Sequence, residues 1–274
     1  MRILYLYRLS VSAFVLCFCL PKKSGNGEPN LIISREKRWE LKQIEKKFYR
    51  HLSQVFLELF RIRWFKAEDL GKYMHLMHDS EALLRSYKDK GKSFILCTGH
   101  TGNWEWGSFN TSNIFGDYNL KVYKPLSNQY FDNYVNKLRS RFGGKMVAMS
   151  QVAREINKNI NNGFCLSMLA DQSPPPEHAY WTMFLNQETA FFAGIGKLAV
   201  KYRLDVLYYN IKKVKNGYYE IAIEILSLAE ENLREEEIQE RFIRRLEKSI
   251  VETPFSWLWS HRRWKHKKPA NLSQ

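Results

Sequence analysis

From residue 93 onward, short apolar runs alternate with amphipathic stretches, and this alternation restricts the chain to few architectures. Ser93–Thr98, Leu120–Tyr123, Lys145–Met149 and Phe164–Leu169 read as buried strands. Each is too short for a stable helix and gives way to polar or glycine-containing residues. Residues 130–141, 151–160 and 193–202 read as the helices between and after them. Val206–Ile211 and Tyr218–Ile225 flank Asn216-Gly217, a strong hairpin signal. Strands separated by helices need crossover connections, so the expected fold is α/β, with a central, mainly parallel β-sheet flanked by helices and closed by an antiparallel hairpin.

Helical periodicity brackets this core. Ile44, Phe48, Leu52, Val55 and Leu59 lie on one face of an amphipathic helix over 36–60. Residues 71–88 read as a second helix and 235–251 as the last. Pro174, Pro175 and Pro176 predict a long irregular loop after the fourth strand. No internal repeat is present.

Composition narrows the function. Apolar residues make up 45% of the 274, enough for a core, which excludes a disordered chain. Mean hydropathy is −0.45, which excludes a polytopic membrane protein. The net charge is +15 and aromatics reach 15%, which suits an anionic, partly apolar partner such as a membrane surface or a nucleic acid. No zinc-finger, RNP or KH pattern supports the second, so no nucleic-acid partner is expected.

Ile3 to Leu20 is an apolar run interrupted by Arg8, Ser10 and Ser12, with Lys22 and Lys23 behind it. It reads as an N-terminal hydrophobic membrane-anchoring segment, spanning or interfacial, with the bulk of the chain on the cytoplasmic side. A buried helix of the main domain is the alternative. Residues 22–34, with Pro21 just before them and Gly25, Gly27 and Pro29 within, read as a linker. Cys17, Cys19, Cys97 and Cys165 form no CxxC pair, so reduced packing cysteines are expected rather than a zinc site.

In a parallel sheet, the working residues sit on loops at the carboxyl ends of the strands. Three loops qualify: 98–105, 124–128 and 171–180. The first reads Gly99-His-Thr-Gly-Asn-Trp-Glu105. With 7 histidines and 28 acids in the chain, about 0.7 His-x4-acid pairs are expected by chance. The context carries more weight than the spacing: a buried strand precedes the pair, and a helix follows that Asn103 would cap. His100 on the turn and Glu105 in the first helical turn would meet if Gly102 makes the bend. A carboxylate beside the imidazole would fix its tautomer, leaving His100 to act as a general base. No GxSxG nucleophile is present, so the substrate would supply the attacking hydroxyl. His51, His75 and His78 lack an acid five residues on and read as surface or packing residues. Met74, Met77 and Met168 read as core filler.

These residues resemble a known family. Gly99-His-Thr-Gly-Asn-Trp-Glu105 is similar to the first block of the lipid A biosynthesis (lauroyl/myristoyl) acyltransferases, within the lysophospholipid acyltransferase superfamily. Val122-Tyr-Lys-Pro-Leu-Ser-Asn128, continuing to Arg139, Arg141 and Gly143, resembles the second block. Ala170-Asp-Gln-Ser-Pro174 resembles the third, and Trp257-Leu-Trp-Ser-His-Arg-Arg-Trp-Lys265 the C-terminal signature. Lys124 stands where the second block more often shows Arg, a point charge in place of a planar fork.

The resemblance implies an enzyme on the cytoplasmic face of the inner membrane. It would move a fatty acyl chain from acyl carrier protein, or acyl-CoA, to a hydroxyl of a lipid A precursor, without metal or cofactor. It implies His100 as base and Glu105 as its partner. Gly102 and Asn103 would shape the turn. Lys124, Asn128, Arg139 and Arg141 would hold phosphate or donor, and Asp171 and Gln172 would line the site. A lysophospholipid or an amino-acid-containing lipid is the alternative acceptor. The oxyanion donors would be backbone amides near Gly102 or a basic side chain. The implied organisation is an anchor over 1–21, a linker over 22–34, the acyltransferase domain over 35–268 and a tail over 269–274. The basic stretch from His261 to Lys268 would dock on anionic lipid or on the acidic carrier protein. Trp257, Trp259 and Trp264 suit either an interface or the core.

Overall fold

The computed structural model describes residues 35–269; the N-terminal apolar run and the linker lie outside them. Helix α1 (Arg35–Arg61) leads into α2 (Ala67–Tyr73), strand β1 (Met74–Leu76) and α3 (His78–Asp89). Next come β2 (Phe94–Thr98), α4 (Trp104–Phe115), β3 (Asn119–Tyr123), α5 (Gln129–Arg139), β4 (Lys145–Ala148), α6 (Val152–Asn159) and β5 (Cys165–Leu169). The chain then forms β6 (Ala179–Phe184), β7 (Gln187–Phe192), α7 (Gly194–Tyr202), β8 (Asp205–Lys215), β9 (Tyr218–Ser227) and α8 (Glu235–Glu252). Seven strands make one sheet in the order β1-β9-β8-β2-β5-β3-β4, and β6-β7 is a separate pair. Only β8–β9 pairs antiparallel within the large sheet. The α/β expectation therefore stands, and its final hairpin is β8–β9. Among the described residues, no helix is long and apolar enough to cross a membrane.

Alternation along β2 builds both halves of the core. Phe94 and Leu96 face α2, α3 and α4, where they join Leu70, Leu84, Trp106 and Phe109. Ile95 and Cys97 face α7 and α8, where they join Ile195, Phe242, Ile243 and Leu246. Such two-sided burial is what turns a parallel-sheet strand into a continuous apolar run. Cys97 and Cys165 are buried free thiols.

Two expectations need correction. The helix read over 71–88 is broken by β1. Met74 and Leu76 point into the core while His75 points out, a two-residue alternation that pairs with β9 at the sheet edge. The irregular loop after the prolines contains the β6–β7 hairpin. Its turn is Leu185-Asn186, with φ of 50° and 60°, the backbone that two-residue hairpins favour. Leucine at the first turn position hides that signal in the sequence.

Candidate active site

The carboxyl ends of β2, β5, β3 and β4 lie along one edge of the sheet because these strands run parallel. Three loops meet there: the turn 99–103, the segment after Tyr123, and Asp171–Ser173. They open onto a cavity of about 540 Å³ that runs beneath α4. Its polar and charged lining includes His100, Glu105, Lys121, Lys124, Arg139 and Gln172. The rest is mostly apolar, with Leu96, Val122, Met146, Met168, Tyr209 and Ile211. Met168, read from sequence as core filler, is a wall of this cavity.

The turn that carries His100 is held from four sides. Gly102 has φ +58°, and a Cβ there would sit 2.7 Å from the Ile211 carbonyl oxygen. The Gly102 amide donates to the Ser256 carbonyl at 3.1 Å. The Gly102 carbonyl accepts from His51 Nε2 at 3.0 Å. Burial and the nearby Lys213 charge push His51 down to about 4, so it is a neutral donor at physiological pH. Asn103 is the helix cap the sequence suggested: its Oδ1 accepts from the Trp106 amide at 2.9 Å. Its Nδ2 donates to Glu58 Oε2 at 2.6 Å, tying the turn to α1.

The imidazole has a different carboxylate partner from the one its sequence neighbour suggested. His100 Nδ1 donates to Asp171 Oδ1 at 2.5 Å. The other Asp171 oxygen accepts from the His100 amide and from Trp257 Nε1, each at 2.8 Å. Glu105 sits in the first turn of α4, as expected. It is bound to Arg139 through Nε at 3.0 Å and through the terminal nitrogen at 2.5 Å. The two-pronged guanidinium grip takes up both carboxylate oxygens, so Glu105 acts on His100 through charge and not through contact.

The electrostatics follow from this arrangement. Burial disfavours the charged imidazole, but the Asp171 charge and hydrogen bond, with a further contribution from Glu105, outweigh it, and the His100 pKa is raised. Burial also disfavours ionised Asp171, yet its bonds to His100 and Trp257 hold it well below the usual carboxylate range. Nδ1 is committed to Asp171, which leaves Nε2 as the basic atom. It lies 3.5 Å from Gln172 Nε2, a residue that also lines the cavity.

The other expected residues divide. Lys124, Arg139 and Gln172 line the cavity, whereas Asn128 and Arg141 do not. Arg141 donates to the Ile62 carbonyl and lies over the Phe142 ring, so it fastens the end of α1. The amides of His100, Thr101 and Gly102 are not free to serve an oxyanion, because they donate to Asp171, Gly99 and Ser256. The basic tail is partly interior. Arg263 is buried, donates to Ser173 Oγ at 2.9 Å and stacks on Phe191. His261 Nε2 accepts from the Ser173 amide at 3.2 Å. Trp257 and Trp259 belong to the core, and Trp264 packs against it.

Sequence reasoning missed Lys121. It is buried on β3, lines the cavity, and its ammonium group donates to Ser112 Oγ at 2.8 Å, the Gly143 carbonyl at 3.2 Å and the Arg139 carbonyl. Burial and the Arg139 charge push it down to about 8. A lysine set between Leu120 and Val122 in a short strand was the signal. Sequence reasoning also missed the Asp171–His100 pairing, which only the sheet order brings together.

Comparison with curated proteins finds no match. The family model for the bacterial lipid A biosynthesis acyltransferases matches residues 30–266, nearly the whole described chain. With the matched span covering all three strand-end loops and the C-terminal latch on Asp171, this chain belongs to the bacterial lipid A biosynthesis acyltransferase family.

Proposed function

We propose that the chain transfers a fatty acyl group from a thioester of acyl carrier protein or coenzyme A to a hydroxyl of a lipid A precursor, at the cytoplasmic face of the inner membrane. The observation that carries this reading is the His100–Asp171 pair, which lies at a cavity lined by both cationic and apolar side chains.

In this mechanism His100 Nε2 takes the proton of the acceptor hydroxyl as its oxygen attacks the thioester carbonyl carbon. Asp171 fixes the Nδ1–H tautomer and stabilises the imidazolium. The new C–O bond forms, the C–S bond breaks, and the imidazolium returns its proton to the departing sulfur. The oxyanion falls to a side-chain donor in this reading, because the amides of His100, Thr101 and Gly102 are already engaged. Arg139 is the first choice: it lines the cavity, and Glu105 holds its fork in place. Lys124, which also lines the cavity, suits an acceptor phosphate.

The test is an incubation of the detergent-dispersed protein with acyl carrier protein thioester and separate acceptors: a lipid A precursor, a lysophospholipid and an amino-acid-containing lipid. The expected result is a mass gain of one acyl chain on the lipid A precursor, lost in His100→Ala. A gain confined to either other acceptor overturns the substrate assignment. Undiminished transfer by His100→Ala overturns the assignment of the base.

A further inference from the structure

The inner face of α1 supports the active-site turn, and its outer face has no protein to cover it among the described residues. Inward, His51 and Glu58 bond Gly102 and Asn103. Outward, Trp39, Phe56, Leu57, Phe60 and Trp64 are exposed, with Leu57 at 72% and Trp64 at 74%. Lys42, Lys46, Lys47, Arg50 and Arg63 are exposed on the same segment. At 3.6 residues per turn, Trp39, Lys46, Arg50, Leu57 and Phe60 fall within about 80° of arc, so they form one stripe. Among the exposed positions from 39 to 64, Glu40 alone is acidic.

We infer that this outer face is the surface on which the enzyme rests on an anionic lipid bilayer, with the helix in the plane of the headgroups. Charge selects the occupant. A second copy would set the same basic stripe against itself. Residues 1–34 carry Arg2, Arg8, Lys22 and Lys23 against Glu28, so they repel the stripe rather than complement it. The partner is therefore anionic. The clustering of Phe56, Leu57, Phe60 and Trp64 at one end favours hydrocarbon over a purely polar polyanion, the combination that interfacial helices use. The face lies one helix diameter, about 10 Å, from the turn that α1 supports. Docking would thus bring His100 to headgroup depth, where the hydroxyls of an embedded acceptor lie. This inference rests on the reading of the acceptor as a bilayer lipid.

The test uses the full chain with Cys17 and Cys19 replaced by Ser. An environment-sensitive fluorophore is attached at Leu57→Cys, or at Asn157→Cys on α6 beside the opposite edge of the sheet. Phosphatidylcholine vesicles with phosphatidylglycerol should blue-shift the label at 57. Brominated acyl chains should quench it at least twofold more than the label at 157. Lys46→Gln/Lys47→Gln/Arg50→Gln should weaken the response at 57 on the order of a hundredfold in lipid concentration. Equal responses at 57 and 157, or none at 57, overturn the inference. So does a blue shift at 57 produced by acyl carrier protein or RNA but not by vesicles. Acyl transfer to dispersed acceptor separates the two readings. Transfer without burial at 57 sinks the surface alone, and burial at 57 without transfer sinks the catalytic assignment alone.

Discussion

Gly102 answers two demands at once. Its φ of +58° suits a residue without a side chain, and the Ile211 backbone leaves no room for a Cβ. Gly102→Ala should cost about 2–4 kcal/mol, combining left-handed strain with a backbone clash. Denaturant titration measures this, and a loss below 1 kcal/mol (about one rotamer's worth of strain) would mean that the turn relaxes. Lys121 gives a prediction of a different kind. Its pKa falls from an ordinary 10.5 to about 8 in the folded chain. Between those values the unfolded chain binds the extra proton, so stability rises with pH across that window. Lys121→Met should lose a rise on the order of 3 kcal/mol, read as a flatter stability profile than wild type from pH 8 to 10.5. An unchanged slope would show the amine to be charged throughout.

The Glu105–Arg139 pair joins the first turn of α4 to the last residue of α5, and Lys121 holds the carbonyl at that same helix end. Removing one partner strands the other in a largely buried site. Glu105→Gln should destabilise by about 2–4 kcal/mol, less than for full burial because Arg139 keeps 27% exposure. Arg139→Met should cost a similar amount, and the double variant should cost less than the sum of the singles. Strict additivity in a double-mutant cycle would show that the pair is not coupled. Elements also show what the sequence conveyed. Strands β2, β3, β4 and β5 were legible because burial on both faces leaves an apolar run. Strand β1 was not, since its three residues take direction only from pairing with β9. The β6–β7 hairpin was hidden behind three prolines and a leucine in its turn. Glu105 was the visible partner for His100 because it is near in sequence. Asp171, 71 residues away, was named as a lining residue, but its bond to His100 depends on β5 lying next to β2.

Over the whole molecule, the site is a product of tertiary closure. Strands β2 and β5 bring His100 to Asp171, the C-terminal segment supplies Trp257 to orient the carboxylate, and α1 holds the turn from beneath. That closure fixes how activity depends on pH. Neutral His100 is the working form, and its pKa is raised, so kcat/KM should climb with pH through a limb above about 6.5, the ordinary histidine value. The stability held in the pair has the opposite sense. It is present while His100 is charged and Asp171 ionised, fades as pH rises through the raised His100 pKa, and fades in acid as Asp171 protonates. Asp171→Asn removes the negative charge that raises His100 and leaves burial, which lowers it. The most direct measurement is therefore the pH profile of kcat/KM for acyl transfer by wild type and Asp171→Asn. The expected result is an acid limb displaced to lower pH in the variant, with a plateau reduced by about 10²–10⁴-fold. A limb that stays in place in Asp171→Asn but moves in Glu105→Gln would contradict it and return the role of partner to Glu105.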